Sequence, residues 1–213
     1  SGSYLKDKFP GAKLAVGEAL QCPTILENGF GDHRIEGIGD KHIPWIHNFR
    51  DTDAAIGVDD ELPMRFIRLF NEKAGRDLLI SEGADPEAVA RLDLLGISGV
   101  GNLLGAIKLA KYYEMTEHDV VFVMLTDSMQ MYGSRIEELD QERGAYDLRQ
   151  ADRDYDRLQC LSVDYVFEMS HVDKRRAHNL KYVTWIEQLG KPLDDLLDES
   201  ADHENYWGGL HAQ

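Results

Sequence analysis

Val120-Val121-Phe122-Val123-Met124-Leu125 is the longest unbroken apolar run in the chain. Six such residues with no polar interruption predict a strand buried on both faces, as in a parallel sheet covered by helices. Working back from it, Leu103, Ile107 and Ala110 mark a helix, and Leu94 to Ser98 reads as a short strand, with a Gly-rich turn between them. Further back, Lys13 to Ala19 (KLAVGEA) reads as a buried strand after the Pro10-Gly11 turn. Strand–helix–strand order predicts an α/β fold. In it, residues 13–19, 94–98 and 120–125 are neighbouring, mostly parallel strands with helices on both faces.

Asp59, Asp60 and Glu61 supply a negative first turn for a helix in which Leu62, Phe66, Leu69 and Phe70 recur at helical spacing. Pro63 falls early enough to be tolerated, and Gly75 reads as the stop. Asp85-Pro86 predicts a short helix with Asp as N-cap and Pro at the first position. The pattern changes after Met131. Ser134 and Glu137 predict a capping box, on a helix that Gly144 ends. From Tyr146 to about Leu189 the reading is helical and highly charged, with Leu180, Val183, Ile186 and Leu189 on one face and Gly190-Lys191-Pro192 closing it. The remainder, to Gln213, is acidic with scattered aromatics. Residues 1–136 are therefore read as the α/β body and 137–213 as a helical extension. Tyr182, Trp185, Tyr206 and Trp207 offer the extension a contact surface.

The 213 residues carry 23 Lys+Arg against 39 Asp+Glu, a formal net charge of −16. Nucleic acid and anionic membrane surfaces repel such a chain, and the best basic run, Lys174-Arg175-Arg176, is short, so neither is an expected partner. No apolar run approaches the roughly 18 residues of a membrane span. No signal peptide is recognised, and a soluble, cytoplasmic protein is expected. Cys22 and Cys160 read as two reduced thiols.

Gly96-Ile97-Ser98-Gly99-Val100-Gly101-Asn102-Leu103 has the strand–loop–helix setting of a phosphate site. It nearly spells a P-loop, but Asn102 and Leu103 replace the Lys and Ser/Thr that phosphoryl transfer needs, which disfavours an NTPase or other nucleotide-binding protein. Close packing of a helix on a sheet is the other reading of those glycines. Asp32, His33, Asp40, His42 and His47 match no metal-ligand spacing and read as surface-loop residues, with no metal expected. Asp127-Ser128, after the strongest strand, reads equally as the border of a ligand crevice or as a turn.

Four segments follow one another along residues 4–132: Tyr4 to Glu18 (YLKDKFPGAKLAVGE), Ile35-Glu36-Gly37-Ile38-Gly39 with Ile43-Pro44, Gly96-Ile97-Ser98-Gly99 with its helix, and Val120 to Tyr132 (VVFVMLTDSMQMY). Together they resemble the cysteine synthase and cystathionine β-synthase group of pyridoxal-phosphate enzymes, fold type II, in the tryptophan synthase β-like superfamily. The resemblance implies part of a doubly wound, mostly parallel sheet with helices on both faces. It implies pyridoxal 5'-phosphate as cofactor, with Ser98 bonded to the pyridine nitrogen, Gly37, Ile38 and Gly39 close to the ring, and Asp127 and Ser128 bordering the nitrogen end. A neutral hydroxyl at that nitrogen suits elimination at Cβ. The implied reaction is β-elimination or β-replacement on a serine- or cysteine-type amino acid.

Thr126 stands where the family has Pro, and residues 76–92 read as an insertion. No Ser-x-x-Lys segment, Ser-Gly-Asn loop or Gly/Thr-rich phosphate cup is found, so no catalytic residue is assigned. The chain is expected to be the C-terminal part of such an enzyme, with the missing N-terminal half or a second subunit as partner, in a homo-oligomer. The alternative is a non-catalytic subunit or interaction module that keeps the fold.

Overall fold

Ala54-Ala55-Ile56-Gly57-Val58 is buried at every position and forms the central strand of the sheet. The computed structural model describes residues 2–211, so Ser1, Ala212 and Gln213 lie outside the described residues. The order is α1 (Gly2–Lys8), β1 (Ala15–Ala19), α2 (Thr24–Glu27), β2 (Ala54–Val58), α3 (Glu61–Asn71), α4 (Lys73–Ser81), α5 (Pro86–Ala90), α6 (Ile97–Tyr112), α7 (Gly133–Arg143), α8 (Leu148–Gln159), β3 (Val166–Glu168), α9 (His171–Asn179), α10 (Leu193–Ala201) and α11 (His203–His211). A π-helix, Tyr182–Gln188, joins α9 to α10. No described helix is long and apolar enough to cross a membrane.

The fold is α/β, built on a small mixed sheet. β1 pairs parallel to β2, Ala15 facing Ala54, and β3 pairs antiparallel, Glu168 facing Ala54. Small residues in β2 let helices approach from both sides. Ala54 and Ile56 pack with Leu109 of α6, while Ala55 packs with Ile25, Phe49 and Ala177 from α2, a loop and α9. The largest core lies beyond α6, where Val100 and Leu104 join Phe66 and Leu69 of α3.

The strand expected over 13–19 is present as β1, but the other two are not strands. Leu92–Leu94 is a 3-10 turn and Ile97 already begins α6. Residues 120–125 form no ladder, and they are exposed rather than buried on both faces: Val120 is 91 % and Phe122 82 % accessible. Gly96 N–H donates to the Asp127 carbonyl, a single backbone bond that cannot make a ladder. The other strands of the sheet come from elsewhere: β2, which pairs with β1, is a run too short and Gly/Ala-rich to stand out, and β3, on the far side of β2, lies inside the stretch read as continuous helix.

Other local readings divide. Asp85 caps α5 as expected, its carboxylate accepting from the Glu87 and Ala88 amides. Ser134 lies inside α7 and makes no capping bond, because that helix starts at Gly133. Gly75 does not stop a helix but sits within α4. A Cβ there would lie 2.1 Å from the Leu69 carbonyl oxygen, so glycine is needed for the tight α3–α4 corner, and the break is at extended Glu72. Val183 and Leu189 are exposed, because the wider π turn shifts burial to Lys181 and Thr184.

Lys181 is fully buried and ties the C-terminal helices to the long β1–β2 connection. Its Nζ pairs with Glu199 of α10 and donates to the carbonyls of Trp45 and His47 at 2.7 and 2.8 Å, between the rings of Trp45 and Trp207. The tail aromatics close over this pair. Trp45 Nε1–H donates to the Tyr206 hydroxyl, Trp185 Nε1–H to the Ile43 carbonyl, and Trp207 is buried. Three of the four aromatics expected to offer an outward contact surface thus work inside the chain.

Lys181→Met leaves the Glu199 carboxylate buried without its partner. It is expected to lower unfolding free energy in urea by about 3–5 kcal/mol, and Lys181→Met/Glu199→Met to regain most of that. Nearby, burial and the Lys181 charge lower the His47 pKa from 6.5 to about 4, with Asp51 opposing. The unfolded chain therefore takes up this proton at higher pH than the folded one, and stability falls as pH drops from about 6.5 to about 4. His178, lowered by burial and Lys181, adds in the same direction. His47→Gln should flatten part of that slope in urea titrations across the interval.

Candidate functional site

The N-terminus of α6 gathers most of the singled-out residues. Gly96 is its N-cap, and Ser98, in its first turn, is 4 % accessible. The Ser98 hydroxyl donates to Asp127 Oδ1 at 3.1 Å and lies 3.1 Å from Thr126 Oγ1. The Tyr132 hydroxyl donates to the other Asp127 oxygen. That hydrogen bond, with burial and the carboxylate charge, pushes the Tyr132 phenol up to about 12.

Asp127 lies against the N-terminus of α6. The amide dipoles of this 16-residue helix place partial positive charge there. A Cβ at Gly96 would lie 2.2 Å from Asp127 Oδ1, so only glycine leaves room for the carboxylate. Asn102, which stands at the P-loop lysine position, donates to the Met124 carbonyl at 2.9 Å. It therefore holds the 120–127 segment beside α6.

Gly37 comes to this cluster from the β1–β2 connection. Its φ of +84° is left-handed, and a Cβ on it would stand 3.6 Å from Ser98 Cβ and 3.8 Å from Oγ, with nothing else beyond its chain neighbours within 4 Å among the described residues. A side chain there would meet Ser98 at ordinary contact distance, so it is the left-handed backbone that favours glycine. Ile38 turns the other way, into the core beside Gly101. Gly39 lies against Ala19 and His33, whose Nε2 is 2.6 Å from the Gly39 carbonyl. The Ser128 side chain makes no hydrogen bond among the described residues.

Ser98, Asp127 and Gly37 are thus brought together, whereas Ile38, Gly39 and Ser128 do not touch the Ser98 hydroxyl in any described contact. Thr126 and Tyr132 complete the cluster and were not singled out. The signal for Tyr132 was its place five residues after Asp127, where the 3-10 turn Met129–Met131 folds it back. No lysine is hydrogen-bonded or ion-paired to the cluster among the described residues. His33 and His47 are half-buried rather than surface-loop residues, and no described group of three or more His, Cys, Asp or Glu is arranged to hold a metal ion.

Chemically, the cluster is a buried hydroxyl at a helix start, donating to a carboxylate and lying beside a left-handed glycine. It can give one hydrogen bond to a nitrogen or oxygen acceptor. Among the described residues its partners are Asp127 and Thr126, not an imidazole or an amine.

The class this points to is an α/β protein with a serine-based polar contact at a helix N-terminus. Over 131 residues, 62 % of this chain, the sequence is 28 % identical to cysteine synthase B of Campylobacter jejuni. That match covers 37 % of the relative, so the chain spans little more than a third of the length of the protein it matches. The likeness supports a cysteine synthase-like family. No family model and no solved structure matches the chain.

Asp127→Asn should remove the charge that holds the Tyr132 proton. In ultraviolet titration one tyrosine is then expected to ionise nearer pH 10 instead of about 12. Gly96→Ala should dislodge the same carboxylate and destabilise the protein by about 1–3 kcal/mol in urea.

Proposed function

We propose that this chain forms the ring-nitrogen side of a cysteine synthase-like pyridoxal-phosphate enzyme acting at Cβ of a serine- or cysteine-type amino acid. The apposition of left-handed Gly37 and the Ser98 hydroxyl carries the reading. The residues present fit such a cofactor in their chemistry, because a hydroxyl able to give a hydrogen bond lies beside a loop glycine that puts no side chain over it. When bound, pyridoxal phosphate supplies an electron sink for bond breaking at the substrate's α-carbon.

Ser98 would hold the pyridine nitrogen by turning its proton from Asp127 toward the ring. Thr126, within 3.1 Å, would then orient the oxygen. Asp127 would fix the serine rotamer while Tyr132 holds the carboxylate still. Because the group at the ring is a neutral hydroxyl, it does not force protonation of the nitrogen. Ser128, Ile38 and Gly39 would shape the surroundings of the ring.

The Schiff-base lysine and the phosphate-binding amides would come from outside residues 1–213. The exposed Val120 to Leu125 run would receive that partner, a segment with the lysine or a second subunit, since exposed apolar patches of this kind mark interaction surfaces. In this scheme residues 1–136 belong to the cofactor-binding body and 137–213 to an extension. The second reading, a non-catalytic module, draws on the same exposed run and on the lack of a lysine at Ser98.

Expressed alone and treated with pyridoxal phosphate and borohydride, residues 1–213 should trap no cofactor on a specific lysine, and they should be oligomeric or aggregated. A monodisperse monomer that traps the cofactor and turns over an amino acid defeats the proposal. In the assembly that carries the lysine, Ser98→Ala should shift the cofactor absorbance spectrum and lower turnover without changing the far-ultraviolet circular dichroism. An unchanged spectrum removes Ser98 from the nitrogen.

A further inference from the structure

A cavity of about 420 Å³ opens between α3 and α8, beside the end of α7, away from the residues assigned to the cofactor. Four arginines line it, Arg65, Arg68, Arg143 and Arg153, and no lysine does. In a chain of net charge −16 this is a local concentration of guanidinium groups.

The carboxylates in the wall are already engaged. Glu61 takes a two-pronged contact from Arg143, at 2.8 and 2.9 Å, and lies 3.0 Å from Arg65 Nε, an ion pair without hydrogen-bond geometry. Asp154 accepts from Arg65 Nη1 at 3.1 Å and from the Tyr146 hydroxyl at 2.9 Å. Arg68, 2 % accessible, forms one wall, paired to Asp140 and Glu72 and stacked 4.8 Å from the Tyr146 ring centre.

The unused capacity is therefore on the donor side. Arg153 has no ion-pair or hydrogen-bond partner among the described residues. Arg65 Nη2 is uncommitted. One acceptor, the buried Gln150 Oε1, also lacks a partner. A guanidinium fork matches two oxygens of one planar or tetrahedral anion, which a lysine ammonium does not.

We infer that this cavity is a binding site for a small oxyanion, a phosphate or carboxylate group on a molecule that also carries a hydroxyl. The anion is held by Arg153 and Arg65, and the hydroxyl donates to Gln150. Asp154 and the Glu61 charge hold the Arg65 guanidinium in place and leave its Nη2 without a partner among the described residues. The site does not depend on the cofactor reading, and either can fail without the other.

The test is calorimetric titration of the 213-residue chain with inorganic phosphate and, separately, succinate, each against sodium chloride of equal ionic strength. One-to-one binding of either anion is expected, and which one binds tells phosphate from carboxylate recognition. Arg153→Ala should weaken it by about tenfold or more, since each hydrogen bond to a charged group contributes on that scale. Arg175→Ala, the same charge change on α9, should leave it unaltered. Arg153 makes no described contact, so its loss should not disturb folding. Binding of neither anion above the chloride control, equal affinities for the parent and Arg153→Ala, or an equal loss in Arg175→Ala overturns the inference.

Discussion

The ammonium of Lys181 holds the longest irregular connection in the chain. Between β1 and β2 the backbone carries only the single turn α2, and loops of that length in a compact domain need anchors. Lys181 gives it two carbonyl contacts, at Trp45 and His47, and Glu199 neutralises the charge. Gly37 lies on this same connection. The same connection is thus tied at Trp45 and His47 to a lysine and a glutamate more than 130 residues further along. The C-terminal helices anchor the connection that carries one side of the candidate site.

At the other side the constraint is steric. Glycine at 96 leaves volume for a carboxylate, and glycine at 37 takes the left-handed backbone beside the serine. Asp127 then acts as a hub between Ser98 and Tyr132 at the helix start. Replacing any one of these residues alters what the hydroxyl can reach.

Much of this was legible in the sequence, unevenly. The Gly-Ile-Ser-Gly turn stood out as a loop opening a helix and Asp127 by following the longest apolar run, each with a structural alternative, whereas the Glu-Gly-Ile-Gly loop stood out through the family resemblance alone. The resemblance implied one pocket at strand ends; Ser98, Gly37 and Asp127 lie together at a helix start instead, and Ile38, Gly39 and Ser128 make no described contact with the Ser98 hydroxyl. Strand assignment went astray because apolar continuity reports a preference for burial, not a partner. Val120 to Leu125 has the composition of a central strand and yet no ladder. Ala54 to Val58 is central with half the apolar bulk, since its neighbours are helices pressed close on both faces. The π turn at Tyr182–Gln188 broke the 3.6-residue bookkeeping on which Val183 and Leu189 depended. A buried lysine was invisible for a different reason: nothing in a local window tells Lys181 that Glu199 and two carbonyls await it.

The sheet has a temporal consequence. Ala54 faces Glu168 across the antiparallel pair, more than a hundred residues apart in the chain. The central strand therefore leaves the ribosome long before the strand that flanks it on one side. Until then only β1 and the nearby helices shield it, and the closing step must fold back a very large loop, which slows such pairings. Nascent chains should spend an interval with a bare strand edge, so expression yield is governed by chaperone occupancy and synthesis rate rather than by the stability of the finished fold.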